Sequence, residues 1–290
     1  MEKERGFLVE GILPISQSRF LGMEKAPADF SLVGSGEAHV GCGSFFTVGC
    51  LNVEEHRGMT LDGVVFEGKA YLERRKRTCH RPLCPTCWSD WADRETKRAV
   101  ERLDAFVLKG RNLKPIHLTV SVPSWDYGLP IEKMREKAYA ALKRVHCLGG
   151  MLNYHPKRRG TSKQWYFSPH FHVIGYGWIV DVRRNYVYSG YVVKNIGIRK
   201  TVHGTIWYQL SHCGISEKHH AVTWFGCLSY GKLHVNRHEE EPHRCPLCDA
   251  ELRQVLWIGD GEPCLPDVEG FVFYDDAANW MEKPRRLYDG

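Results

Sequence analysis

A chain of 290 residues with 43% hydrophobic and 12% aromatic content carries enough apolar material for one generous folded domain with small appendages, which excludes a disordered or low-complexity polymer. No apolar run approaches the ~20 residues that a membrane helix needs, and the opening MEKERGFLVEGILP mixes acids with bases and offers no small-residue cleavage site, so the expectation is a cytoplasmic protein without membrane contact. The net charge of +6 is modest, but the bases are bunched as Arg74-Arg75-Lys76-Arg77, Lys157-Arg158-Arg159, Arg183-Arg184 and Arg199-Lys200; with nine Trp available for base stacking, this pattern points to nucleic acid.

Up to about residue 70 the chain is rich in Gly and in short β-favouring runs (SFFTVGCLNV, GVVFEGKAYLE), which predicts a few strands. A cysteine knuckle follows, Cys79-His80-x-x-x-Cys84-x-x-Cys87. Thiolates at that spacing chelate one tetrahedral zinc without strain, so Cys79, Cys84 and Cys87 are expected ligands, with Cys42, Cys50 or His80 as the fourth. From Trp88 onward Ala92, Ala99, Val100, Leu103 and Val107 recur at helical spacing, and Gly110 supplies a stop. A helix of about five turns is predicted there.

PIHLTVSVP alternates Ile116, Leu118, Val120 and Val122 with polar residues, the signature of a strand with one face in a core. LPIEKMREKAYAALKRVHCLGG reads as an amphipathic helix closed by Gly149-Gly150, and MLNYHP as a strand that leads through the basic loop KRRGTSKQ, with Arg158, Arg159 and Lys163 as candidate DNA contacts. WYFSPHFHVIGYGWIV and GYVVKNIGIRK read as further strands, and TVHGTIWYQLSHCGI as a helix. This order predicts an α+β fold, an antiparallel sheet with helices on one face. Beyond residue 232 the chain turns polar and acidic before a second knuckle, Cys245-x-x-Cys248, and the short β-like run LRQVLWI of a zinc-ribbon-like module. Partners for Cys245 and Cys248 are sought among Cys227, Cys213, Cys264, His238 and His243. The expected segments are 1–110, with the first knuckle and its helix, then 111–232, then 233–290.

The sharpest chemical signal is Pro169-His170-Phe171-His172-Val173. Residues two apart on a strand point the same way, so His170 and His172 present two imidazoles on one face while Phe171 and Val173 anchor the other in a core. Such a pair can hold a metal ion or stand as satisfied core or surface histidines.

Taken in order, HLTVSVP (117–123), SPHFHVIGYG and a downstream tyrosine on a helix resemble the three motifs of the His-hydrophobic-His endonuclease superfamily, which includes rolling-circle replication initiators, relaxases and some transposases. The cluster CHRPLCPTCW ahead of the first motif looks like the replication initiators of archaeal and bacterial plasmids or viruses. The resemblance covers residues 75 to 232. It implies a ferredoxin- or RRM-like antiparallel sheet holding a divalent cation, Mn or Mg, on His170, His172 and a third ligand, for which His155 on the adjacent antiparallel strand is the candidate and His117 the reserve choice. It also implies a tyrosine that attacks single-stranded DNA at an origin, leaving a 3′-hydroxyl and a 5′-phosphotyrosine.

For that tyrosine the literal Tyr-x-x-Lys match is Tyr191-Val192-Val193-Lys194, but this stretch is β-branched and bracketed by glycines, so Tyr208 in TIWYQLSH is preferred, with Tyr191 and then Tyr188 as the alternatives. Ser211 stands where the motif has lysine, which leaves His212 or a basic residue from elsewhere to steady the phosphate. The zinc modules are expected to grip duplex DNA beside the nick. No Gly-x-x-x-x-Gly-Lys-Ser/Thr loop occurs, so a host helicase and polymerase must supply unwinding and synthesis. Competing readings are a zinc-dependent DNA-binding protein without catalysis, a relaxase or transposase, and a tri-histidine zinc hydrolase.

Overall fold

The computed structural model describes residues 30–107, 113–160, 164–198, 200–235 and 242–284. Its elements are β1 (Ser31–Leu32), β2 (Phe45–Cys50), α1 (Val53–His56), β3 (Thr60–Leu61), β4 (Val64–Val65), β5 (Lys69–Lys76), α2 (Trp88–Val107), β6 (Ile116–Ser121), α3 (Ile131–Arg144) and β7 (Cys147–Arg159). They continue with β8 (Trp165–Gly177), α4 (Val182–Ser189), β9 (Val192–Asn195), α5 (Val202–Leu210), β10 (Gly214–Ile215), β11 (Val222–Gly226), β12 (Arg253–Trp257), β13 (Val272–Asp276) and β14 (Trp280–Glu282). The architecture is α+β with antiparallel sheets, and none of the described helices is long and apolar enough to cross a membrane.

Two compact units divide the chain: Met1–Ala38 with His80–Asn236, and His39–Cys79 with Arg237–Gly290. This differs from three consecutive segments, because strands on both sides of the central segment pair with one another. β2 bonds to β12, and β5 bonds to β13.

In the first unit a five-stranded antiparallel sheet has the order β11-β7-β8-β6-β9. The period of two assigns its faces. Leu118, Val120, Leu152, Tyr154, Phe171 and Val173 point to one side, where Met134, Ala138, Ala141 and Leu142 of α3 close over them. Met151, Ile174 and Tyr176 point to the other, where Ala92, Ala99, Leu103 and Phe106 of α2 and Ile206 and Leu210 of α5 pack. Helices therefore cover both faces rather than one. The physical reason is that β7 and β8 are apolar on both sides along part of their length, and each such face must be buried.

Two local expectations also change. α3 ends at Arg144, and His146, at φ 62°, makes the left-handed turn that was expected of Gly149-Gly150. The glycines lie inside β7, where a Cβ on Gly149 would sit 2.6 Å from the Phe225 carbonyl oxygen, and one on Gly175 of the facing strand 2.2 Å from the Gly149 carbonyl oxygen. Only glycine permits strands that close. Between β8 and β9 the chain forms α4, an unexpected helix whose C-terminal turn Gly190 closes at φ 73°. α2 spans Trp88–Val107 as expected, and Gly110 lies outside the described residues. From α2 the buried Arg102 donates to the carbonyl oxygens of Leu228 and Leu233 at 2.8 and 2.7 Å, tying down the turn after β11.

The second unit is a sheet of order β13-β5-β2-β12-β14, also antiparallel. Ala70, Leu72, Val255 and Trp280 form a core on one face; Cys50, Phe66, Tyr71 and Cys245 form one on the other.

Candidate metal centre

Ser121, Thr119 and His117 of β6, His170 and His172 of β8, and Asn153 and His155 of β7 all project from the face that α2 and α5 partly cover. The register sets them side by side: Ser121 opposite His170, Thr119 opposite His172, Asn153 opposite His172 and His155 opposite His170. Phe171 and Val173, between and after the two histidines, are fully buried on the other side. Burying such side chains contributes roughly 1.5–3 kcal/mol each, so the histidines stand on a rigid support.

Just beyond the cluster the pairing slips. From His155 to Lys157 is two residues, whereas their partners His170 and Phe167 are three apart, so β8 carries one extra residue at Ser168-Pro169. Proline is tolerated in a strand at such a place. The displaced Ser168 carbonyl accepts from His170 Nδ1 at 2.8 Å, which turns Nε2 of His170 toward the cluster.

His155, His170 and His172 bring one ligand atom each within 4.8 Å of one another, a spacing that small side-chain rotations convert to that of a shared ion. His155 Nδ1 is buried and finds no hydrogen-bond partner among the described residues, a costly state that a cation relieves. Burial is the main force that holds the imidazoles well below their ordinary pKa, with neighbouring imidazoles adding to it at His155 and His172. At His170 burial, then the Arg158 guanidinium, push the value down to about 3. At neutral pH all three are uncharged, with lone pairs available as ligands require. The residues fit a divalent cation.

Around this triad the remaining site residues take their places. The His117 and His172 rings meet through Nε2 and Nδ1 at 2.8 Å. Thr201 caps α5 by accepting from Gly204 N at 2.9 Å, and Ile206 and Leu210 seat the helix on α2. Its phenol, Tyr208, is 39% exposed and lies against His212 with ring centroids 4.6 Å apart, while His212 lies 4.6 Å from the His155 ring. His212 follows the helix in its terminal turn. Ser211 turns back to donate to the Tyr208 carbonyl oxygen.

Tyr191 is fully buried in the core under α3, on the opposite side of the sheet, where burial and then the Asp126 carboxylate raise its phenol. Tyr188 is exposed on α4 beneath the Arg144 guanidinium. Of the basic candidates, Arg158 donates to Ser121 Oγ at 2.6 Å beside His170, Arg159 is exposed at the end of β7, and Lys163 lies outside the described residues.

Two further clusters could hold zinc. One is the first knuckle, with Cys84 and Cys87 buried just ahead of α2; Cys50, a candidate for its fourth ligand, lies instead with the second knuckle. Cys245 and Cys248 meet Cys50 and His56, none of which was sought for this knuckle. His56 Nε2 lies 3.3 Å from Cys248 Sγ and 3.4 Å from Cys245 Sγ, and Cys50 Sγ lies 3.6 Å from Cys248 Sγ. Tetrahedral zinc with bonds of about 2.3 Å to sulfur and 2.0–2.1 Å to nitrogen implies separations of roughly 3.5–3.8 Å, so the fit is close. Burial above all pushes the Cys50 thiol up to about 12, which makes a cation the agent that draws off its proton. Of the partners that were expected, Cys213 is buried in the first unit's core, Cys227 packs against that core, and Cys264 and His243 are exposed. His238 lies outside the described residues. The missed signal was Cys50-x5-His56, which looks like nothing until β2 and α1 bring it to the knuckle.

Comparison with protein-family models, curated proteins and solved structures finds no match.

Proposed function

We propose that this protein is a metal-dependent, tyrosine-nucleophile endonuclease of the His-hydrophobic-His type that nicks and rejoins single-stranded DNA at an origin, a rolling-circle replication initiator. One observation carries the reading. Three neutral imidazoles converge on one face of an antiparallel sheet, and the helix on that face presents a solvent-accessible phenol that reaches them through His212. In this reading the five-stranded sheet is the ferredoxin- or RRM-like sheet of that superfamily.

His155, His170 and His172 hold the cation, Mn or Mg, which when bound supplies Lewis-acid polarisation of the scissile phosphate. Tyr208 Oη forms a bond to phosphorus as the bond from phosphorus to the 3′ oxygen breaks. The phenol proton passes to the His212 imidazole, and the departing 3′ oxygen takes up a proton to become the hydroxyl that primes synthesis. Arg158, fixed by Ser121 beside His170, and the exposed Arg159 contact flanking phosphates. Unwinding and polymerisation belong to host proteins.

The test incubates the protein with labelled single-stranded oligonucleotides and Mn²⁺ or Mg²⁺ and looks for a covalent adduct on a denaturing gel. An adduct lost in Tyr208→Phe and retained in Tyr191→Phe supports the assignment. His170→Ala and His172→Ala abolish cleavage while a gel shift still reports DNA binding. Cleavage without an adduct points instead to a tri-histidine hydrolase, and binding with neither to a zinc-stapled DNA-binding protein.

A further inference from the structure

His117 stands on β6 next to the triad without belonging to it: three histidines group as ligands, and His117 is not among them. Its strand neighbour across the ladder is Ile174, which places it diagonally from His172 on the same face, within reach of a long side chain. The contact is direct, with His117 Nε2 2.8 Å from His172 Nδ1 and ring planes 32° apart. His117 is 3% exposed, and its backbone carbonyl accepts from Ile196 N, so its strand is pinned on that side as well.

A neutral imidazole has one protonated nitrogen and one lone pair. Because Nδ1 of His172 is engaged by His117, Nε2 is the atom left to face a cation, and it offers a lone pair only if the proton sits on Nδ1. That proton must then be donated to His117 Nε2, which acts as the acceptor. We propose that His117 is a positioning residue for the metal centre, accepting the Nδ1–H of His172 at its own Nε2 and so fixing both the tautomer and the ring orientation of that ligand. Ser168 does the equivalent for His170, its carbonyl oxygen accepting from Nδ1. The two imidazoles of the His-hydrophobic-His pair are thus oriented by different acceptors: one from the bulge of their own strand, the other from a side chain of the neighbouring strand. The inference rests on the proposed metal role of the triad.

The test uses the full chain with zinc in its thiol clusters and titrates Mn²⁺, a hard ion that thiolates hold poorly, following free Mn²⁺ by electron paramagnetic resonance. His117→Leu keeps bulk but removes the acceptor, and its Mn²⁺ dissociation constant is expected to rise about 10- to 100-fold. His117→Gln places an amide oxygen as many bonds from Cα as Nε2 and is expected to bind within about threefold of the wild type. Melting temperatures of both variants are followed in parallel, since a purely packing role would move stability and leave no rescue by Gln. Equal affinity in His117→Leu and wild type, or Gln binding as poorly as Leu, overturns the inference. Independently of any variant's folding, long-range ¹⁵N–¹H correlation spectra of the metal-free wild type are expected to show His172 protonated at Nδ1; an Nε2–H tautomer overturns it. Failure of the wild type itself to bind Mn²⁺ would overturn the proposed function, while the tautomer would still decide the pairing.

Discussion

The histidine cluster and the Cys50–His56–Cys245–Cys248 cluster are both sets of metal-competent side chains, yet the chain arrives at them in opposite ways. The first takes its triad from two adjacent strands of one hairpin, β7 and β8, within 18 residues, on a sheet whose far side is a complete apolar core. The second takes Cys50 from the end of β2, His56 from the end of α1 and two more from a knuckle whose Cys248 is 198 positions beyond Cys50. Its sulfurs are themselves part of a small core. One site is set on a sheet whose far face has its own apolar core; the other shares its residues with the core of its unit. The contrast is between side chains carried on an apolar support and side chains that are themselves part of a core.

The comparison breaks if disabling the thiol cluster as a metal site leaves both units intact. Cys245→Ser, or chelation by a strong zinc ligand, is expected to have the largest effect: loss of hydrogen-exchange protection throughout β2, β5, β12 and β13, with the β6–β7–β8 amides unchanged, because structural zinc in small modules contributes on the order of 10 kcal/mol. Phe171→Ala attacks the support beneath the histidines and is expected to cost about 3–5 kcal/mol in denaturant unfolding of the first unit. Smallest in stability is His170→Ala, which removes a buried polar ring and is expected to shift the unfolding free energy by less than about 1.5 kcal/mol while eliminating Mn²⁺ binding. A large loss of stability in that variant would mean that the imidazoles are structural.

Much of the histidine site was legible because its grammar is local. Alternation in His170-Phe171-His172-Val173 separated the side chains that cluster from those that face the core, and a neighbouring strand was enough to bring in His155. The β-branching around Tyr191 was readable as well, and in the fold Tyr191 lies buried under α3. Helices on both sheet faces were not legible, because the run MLNYHP does not announce that Met151 needs a cover different from that of Leu152 and Tyr154. Nor were Cys50 and His56, since pairing between β2 and β12 spans about two hundred residues and carries no periodic trace in the sequence.

That long-range pairing has a consequence for how the protein is made. During synthesis at about 5–20 residues per second, residues 39–79 leave the ribosome roughly ten to thirty seconds before the knuckle at Cys245 can follow. Throughout that interval β2 and β5 have open edges and Cys50 and His56 have no partners from the far segment. A nascent chain stalled before residue 245 should therefore be the most aggregation-prone and thiol-reactive form of this protein, and zinc supply at the moment of release should govern how much of it reaches the native state.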